Sequence, residues 1–337
     1  MKKLNITFCS FPDYAGNAKA LYQYMKKRYK DNMNYTWIVY EEKTVELLKN
    51  DGIKAILIGT DEFKHYIPKT NVFFTTHSNL CGDKEAAKNA IYVELWHGIG
   101  PKPVGFLTKK LSEEDKKWYN FLSQTIDYFI CPSEFWRVIF STMFSINPER
   151  IKPLGLPLLD EIKYSDGKGN LSKILNKDIS KYKKILLYMP TFKKGCGRGL
   201  ESNYNKENIL NFNDYNDEEL IKYLKKNNYL LIVKRHPSDE CIYNEIENDY
   251  IVNINNDMLN NHGLNVNNIL NAGDVLITDY SSLGLEFSFI NKPVIYISTD
   301  IQEYQQNRGI ILDDYDFWAK DKCSTYNEFI KLLEILF

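Results

Sequence analysis

"DVLITDYSSLGLEFSFI", residues 274–290, runs an apolar strand, VLIT, into a polar turn, DYSS, and then into a helical pattern. Strand, polar turn, helix is the repeating unit of a parallel α/β sheet. Ligands in open sheets of this kind bind beyond the carboxyl ends of the strands. Asp279 opens the turn. Ser281 and Ser282 stand at or near the start of the helix, where free backbone N–H groups and the helix dipole favour a phosphate. Their hydroxyls add donors. Plain N-capping by Ser or Asp accounts for the same residues equally well.

Three other stretches repeat this layout. "KILLYMP" (184–190) leads into "TFKKGCGRG", a basic, Gly-rich segment with Thr191, Lys193 and Lys194. It lacks the Walker spacing and reads either as a loop closing over a ligand or as an ordinary surface loop. "YLLIVKRHP" (229–237) puts Lys234, Arg235 and His236 at a strand end. They suit a diphosphate, or form an exposed basic turn. "AIYVELWHGIGPK" (90–102) places His97 at the start of a Gly/Pro-rich turn. His97 is either a general base or a packed histidine. His65, His77 and His262 read as structural, and no H-E-x-x-H or His/Cys spacing suggests a metal.

Strand and helix patterns alternate along the whole chain. LNITFCS (4–10), YTWIVY (35–40), AILIG (55–59), VFFTT (72–76), AIYVELWH (90–97) and DYFICPS (127–133) read as strands of a first series. The second series follows YSDGKGNLSK (164–173), a polar, Gly-containing stretch that reads as a linker. The expectation is two Rossmann-like domains, 1–165 and 166–337, facing a cleft. The second closes on an amphipathic helix, YNEFIKLLEILF (326–337).

Bulk properties bound the function. The chain has 337 residues, 44% hydrophobic and 26% charged, with net charge −1, an ordinary globular balance. The near-zero charge argues against a nucleic-acid partner, although the front half is net basic and the rest net acidic. The six cysteines are scattered without a C-x-x-C pair, which reads as reduced thiols in the cytoplasm. No apolar run is long enough to span a bilayer.

The order of motifs carries more than any one of them. GNAKALYQYM (16–25), WHGIGPK, PLGLPLLDEI (153–162), ILLYMPTFK, VKRHP, TDYSSLGLEFSFINKPVIYI and NRG (307–309) follow one another. This series resembles the CDP-glycerol glycerophosphotransferase family of teichoic acid and capsule synthesis, over nearly the whole chain. The resemblance implies a GT-B fold of two Rossmann-like domains. The first would face acceptor and membrane, and the second would hold the nucleotide donor. It implies a catalytic pair, His97 as base and His236 at the donor diphosphate. Donor binding would fall to Thr191, Lys193, Lys234, Arg235, Asp279, Ser281, Ser282, Glu286 (near the ribose) and Arg308. The reaction implied moves glycerol phosphate from CDP-glycerol to a hydroxyl of a lipid-linked saccharide or polyol-phosphate acceptor and releases CMP. No cofactor is expected; no metal motif is evident, and the expectation, left open, is that cationic side chains and a helix terminus stand in for Mg²⁺.

One departure from the family pattern is visible: WHGIGPK stands where W-H-G-T-P-L-K is common, so acceptor identity stays open. CDP-ribitol as donor, and a GT-B glycosyltransferase or epimerase using a UDP-sugar, stay open beside it. KPVGFLTKKLSEEDKKWYNFL (102–122) mixes lysines with Phe106, Leu107, Trp118 and Phe121. It reads either as an element resting on anionic lipid at the inner membrane face or as a helix packed on its own domain.

Overall fold

The computed structural model describes residues 3–78, 90–191, 209–210, 212–235 and 247–337. The chain divides into two compact units. The first is Met1–Gly98 with Val104–Asp160; the second is Ile99–Pro103 with Glu161–Phe337. The five residues that follow Gly98 therefore fold with the second unit.

The first unit is built on a seven-stranded parallel sheet: β1 Asn5–Cys9, β2 Asn34–Val39, β3 Ala55–Leu57, β4 Val72–Thr75, β5 Ile91–Glu94, β6 Tyr128–Cys131 and β7 Ile151–Pro153. The order is β3-β2-β1-β4-β5-β6-β7, so the topology reverses between β1 and β4. Helices cover the sheet, which is why the strands read as continuous apolar runs. The core is aromatic. Phe8 stacks on Trp37 and Phe74 at centroid distances of 5.3 and 5.4 Å, and Tyr22 meets it edge-on at 5.5 Å.

The second unit holds a six-stranded parallel sheet: β8 Lys184–Tyr188, β9 Tyr229–Val233, β10 Ile251–Asn253, β11 Val275–Thr278, β12 Val294–Ile297 and β13 Lys322–Cys323, in the order β10-β9-β8-β11-β12-β13. Its reversal lies between β8 and β11. The C-terminal helix Tyr326–Leu336 starts on a Thr325/Glu328 capping box and buries Phe329 and Leu333 in the core.

Three short edge strands, β7, β10 and β13, have no counterpart in the sequence reading. With two or three residues each, they offer too little pattern to register. The expected linker 164–173 is instead largely helical. The helix Gly167–Leu175 starts on Asp166, whose carboxylate accepts from Gly169 N at 3.0 Å. A Cβ on Gly167 would collide with Asn271 at 1.9 Å, so this glycine serves close packing rather than flexibility. Cys9, Cys131 and Cys323 are buried free thiols, and burial pushes Cys131 up to about 11 and Cys323 up to about 12.

Candidate active site

In the second unit the carboxyl ends of β9, β8 and β11 lie side by side, because those strands are neighbours in the sheet. Four of the residues singled out from sequence lead off from these ends. After β8, Thr191 N donates to Asp279 Oδ1 at 2.8 Å, and the Thr191 hydroxyl donates to the same oxygen. The buried Asp279 thus ties the β8 turn to the β11 turn, supported by Thr278 Oγ1 donating to Met189 O at 2.7 Å. After β9, Lys234 and Arg235 are each 8% exposed, so the exposed-basic-turn reading of them does not hold. Lys234 N donates to Tyr188 O at 2.9 Å, and Arg235 Nη2 lies 3.5 Å from Ile209 O. Lys234 and Arg235 thus put two cationic side chains at the carboxyl end of β9, beside the β8 and β11 turns.

Ser281 is the N-cap of the helix Ser282–Ser288, its hydroxyl accepting from Leu283 N at 3.3 Å, and Ser282 is the first helical residue. Both are half-buried. Glu286, on the same helix, is buried and receives the backbone N–H of Ile99; burial pushes its carboxyl up to about 7.

Residues Ile99–Pro103 run along this helix. Gly100 packs against Ser282, where a Cβ would stand 3.4 Å from Ser282 Cα, and Pro101 O accepts from Ile311 N at 2.7 Å. The segment delivers Lys102, which sequence reasoning did not assign to donor binding. Burial holds the Lys102 ammonium below its usual range, the Arg308 guanidinium adds to this, and Asp279 opposes it. Lys102, Arg308 and Asp279 therefore share one electrostatic environment. The signal for Lys102 was present in the WHGIGPK motif itself. Lys193 and His236 lie outside the described residues, as do Lys194 and the rest of the Gly-rich loop.

In the first unit His97 lies three residues beyond the end of β5. Trp96 adopts a left-handed φ of +56°. For a bulky residue this costs on the order of 1–3 kcal/mol, and it persists where neighbours over-determine it. Those neighbours are clear. Trp96 N donates to Glu94 Oε1 at 2.8 Å, while Asn17 Nδ2 donates to Leu95 O and Trp96 O at 3.2 and 2.9 Å. Asn17 is fully buried and also accepts from Leu158 N at 3.0 Å. It comes from the GNAKALYQYM helix, whose match to the family carried the signal without naming the residue.

His97 is exposed, and its Nδ1 lies 3.0 Å from Thr76 O. A carbonyl only accepts, so Nδ1 carries the proton and Nε2 keeps its lone pair, the tautomer of a general base. His77, read from sequence as structural, is a direct neighbour. The two imidazoles stack at 3.8 Å and 8°, and His77 Nδ1 lies 2.9 Å from the Thr76 hydroxyl. Burial, with His97 adding to it, lowers His77 to about 3, so His77 is neutral at physiological pH.

The description "CDP-glycerol:poly(glycerophosphate) glycerophosphotransferase" belongs to a family model that matches residues 1–336. The chain belongs to this family. It is 30% identical over 318 residues to a teichoic acid glycerol-phosphate primase of Bacillus subtilis, covering 90% of this chain and 76% of that protein. It is 26% identical over 334 residues to a teichoic acid poly(glycerol phosphate) polymerase of Bacillus spizizenii, covering 93% and 78%. A poly(ribitol-phosphate) polymerase of the same organism is 25% identical, over 96% of this chain and 49% of its own length. Among solved structures, the wall teichoic acid polymerase TagF superposes with a TM-score of 0.76 at 21% identity, covering 99% of this chain and 80% of that one. The fold is accordingly GT-B-like, and the chain is a glycerophosphotransferase of this family. Among the described residues, no helix is long and apolar enough to cross a membrane.

Proposed function

We propose that this enzyme transfers glycerol phosphate from CDP-glycerol to a hydroxyl of a lipid-linked saccharide or growing polyol-phosphate chain, in teichoic acid or capsule synthesis at the inner membrane face. The observation that carries the reading is the second unit's cluster at the topological switch. Lys234 and Arg235 are buried at one strand end, Thr191 is locked to Asp279, and Lys102 and Arg308 share Asp279's surroundings. Such a cluster suits the diphosphate of a nucleotide-activated donor. Ser281 and Ser282 add hydroxyls, Glu286 is the candidate ribose contact, and Lys193 and His236 complete the donor set. TagF has been solved with CDPG, as a histidine-to-asparagine variant, which supports a CDP-linked donor for this fold.

In the reaction, His97 Nε2 takes the proton of the acceptor hydroxyl. The acceptor oxygen forms a bond to the phosphorus that carries glycerol, the bond from that phosphorus to the bridging oxygen breaks, and CMP leaves with the electron pair. Proton removal of this kind is worth about 10²- to 10⁴-fold in rate. The cations neutralise charge on the non-bridging and leaving oxygens, where fixed donors act most strongly.

For the membrane, the helix Glu113–Thr125 exposes Lys117 and Trp118, and the exposed Lys109 and Lys110 precede it in the chain. Lys116, also in this set, is paired with Glu113 at 2.6 Å. Replacing Lys109, Lys110 and Lys117 should reduce binding to anionic liposomes; unchanged binding would remove the membrane role of this helix.

Calorimetric titration with CDP-glycerol, CDP-ribitol and UDP-GlcNAc tests the donor. Selective binding of CDP-glycerol, weakened by His236→Ala, supports the reading. Preference for CDP-ribitol changes the alditol, and binding of UDP-GlcNAc alone overturns the reaction.

A further inference from the structure

The geometry points to Glu94 as a positioning residue: its buried carboxylate clamps the β4 turn, which carries His77, to the β5 turn, which carries His97, and so holds the stacked imidazole pair in register. The inference rests on His97 being the base. Glu94 is the last residue of β5 and is fully buried. Oε2 accepts from Thr75 Oγ1 at 2.7 Å and from Ser78 N at 2.7 Å, both on the β4 side. Oε1 accepts from Trp96 N at 2.8 Å, on the β5 side. One carboxylate therefore spans the residues that flank each histidine, Thr75 and Ser78 around His77 and Trp96 before His97.

A carboxylate fits this place better than a neutral side chain. Ser78 N–H faces Oε2 and Trp96 N–H faces Oε1, and a backbone N–H can only donate, so both oxygens must be acceptors. A glutamine would turn its NH₂ toward either Trp96 N–H or the Thr75/Ser78 donors, and one turn would lose its anchor. The anchor matters because Trp96 is in a left-handed conformation held by Glu94 together with Asn17, and losing the Glu94 bond removes one of those restraints. His97 would then shift against both Thr76 O and the His77 ring. The titratable groups near the carboxyl are the Cys9 thiol on β1 and the Tyr92 hydroxyl, which meets Thr75 Oγ1 at 3.0 Å. Burial pushes Glu94 up to about 7 against the pull of its four donors, the Thr75 and Ser78 side chains and the Trp96 and Ser78 backbone N–H groups. The clamp therefore tightens as pH rises through neutrality.

The test compares Glu94→Gln, Thr75→Val and His97→Ala. Activity with CDP-glycerol, donor affinity and the NMR titration of the His97 ring are read for each. Glu94→Gln is expected to lower kcat about 10²-fold, the scale of a misplaced catalytic group. It should leave CDP-glycerol affinity intact and move the His97 titration midpoint together with the acid limb of the pH–kcat profile. Thr75→Val, which keeps the carboxylate and removes one donor, should shift both in the same direction by less. Glu94→Gln with wild-type kcat and wild-type His97 titration, beside an inactive His97→Ala, overturns the inference alone. A fully active His97→Ala overturns it together with the base assignment.

Discussion

His97 and Lys102 are separated by four residues and have different chemical tasks. His97 offers a lone pair at Nε2 because Thr76 O holds the proton at Nδ1. His97→Ala should lower kcat by about 10²- to 10⁴-fold while calorimetric CDP-glycerol binding persists. Equal loss of binding and turnover would place His97 in donor recognition instead. Lys102 is a cation held below its usual range by burial and by Arg308. A bound diphosphate would relieve that repulsion, so Lys102→Gln should raise KM for the donor by about 10- to 100-fold with a smaller change in kcat, the scale of a lost charge-assisted bond. An unchanged KM would assign Lys102 to folding of the 99–103 segment.

At the scale of elements, the functional turns depend on helices that press close to the sheet. Gly284 is the clearest case. A Cβ there would stand 2.7 Å from the Tyr296 ring on β12, so Gly284→Ala should destabilise the second unit by about 1–3 kcal/mol, seen as a lower melting temperature. A variant that melts like the wild type would show that Tyr296 yields freely. The same elements show what the sequence could and could not reveal. The long strands were legible because they are buried on both faces and read as unbroken apolar runs, and the turns at their carboxyl ends located Thr191, Asp279 and Ser281. The edge strands β7, β10 and β13 were not, since two or three residues carry no period. Gly167 resembled a linker glycine because close approach to Asn271 leaves no trace in local pattern. Glu94, Asn17 and His77 escaped for a related reason. Their roles are contacts to residues far along the chain, Ser78, Leu95 and His97, and only the folded sheet brings these together.

Across the whole molecule, among the described residues, each unit buries a glutamate beneath a functional segment, Glu94 under the His97 turn and Glu286 under Ile99. Both carboxyls are raised from 4.5 to about 7 by burial. Between those values the unfolded chain has released the proton that the folded chain still holds. Stability from these groups is therefore complete below about 4.5, declines as pH rises to about 7, and is level above. Glu286→Gln removes one titration, so its melting temperature should fall less than that of the wild type between pH 5 and pH 8. Parallel curves would mean that Glu286 does not titrate in this range.

The central claim is the reaction itself, and product analysis tests it most directly. Purified enzyme would be incubated with CDP-glycerol and a lipid-linked saccharide acceptor, and CMP and the lipid product would be quantified for wild type and His97→Ala. The account predicts one CMP released per glycerol phosphate joined to the acceptor, dependent on acceptor and on His97. Donor binding without CMP release, or release of a nucleoside diphosphate from a UDP-sugar under the same conditions, would contradict it.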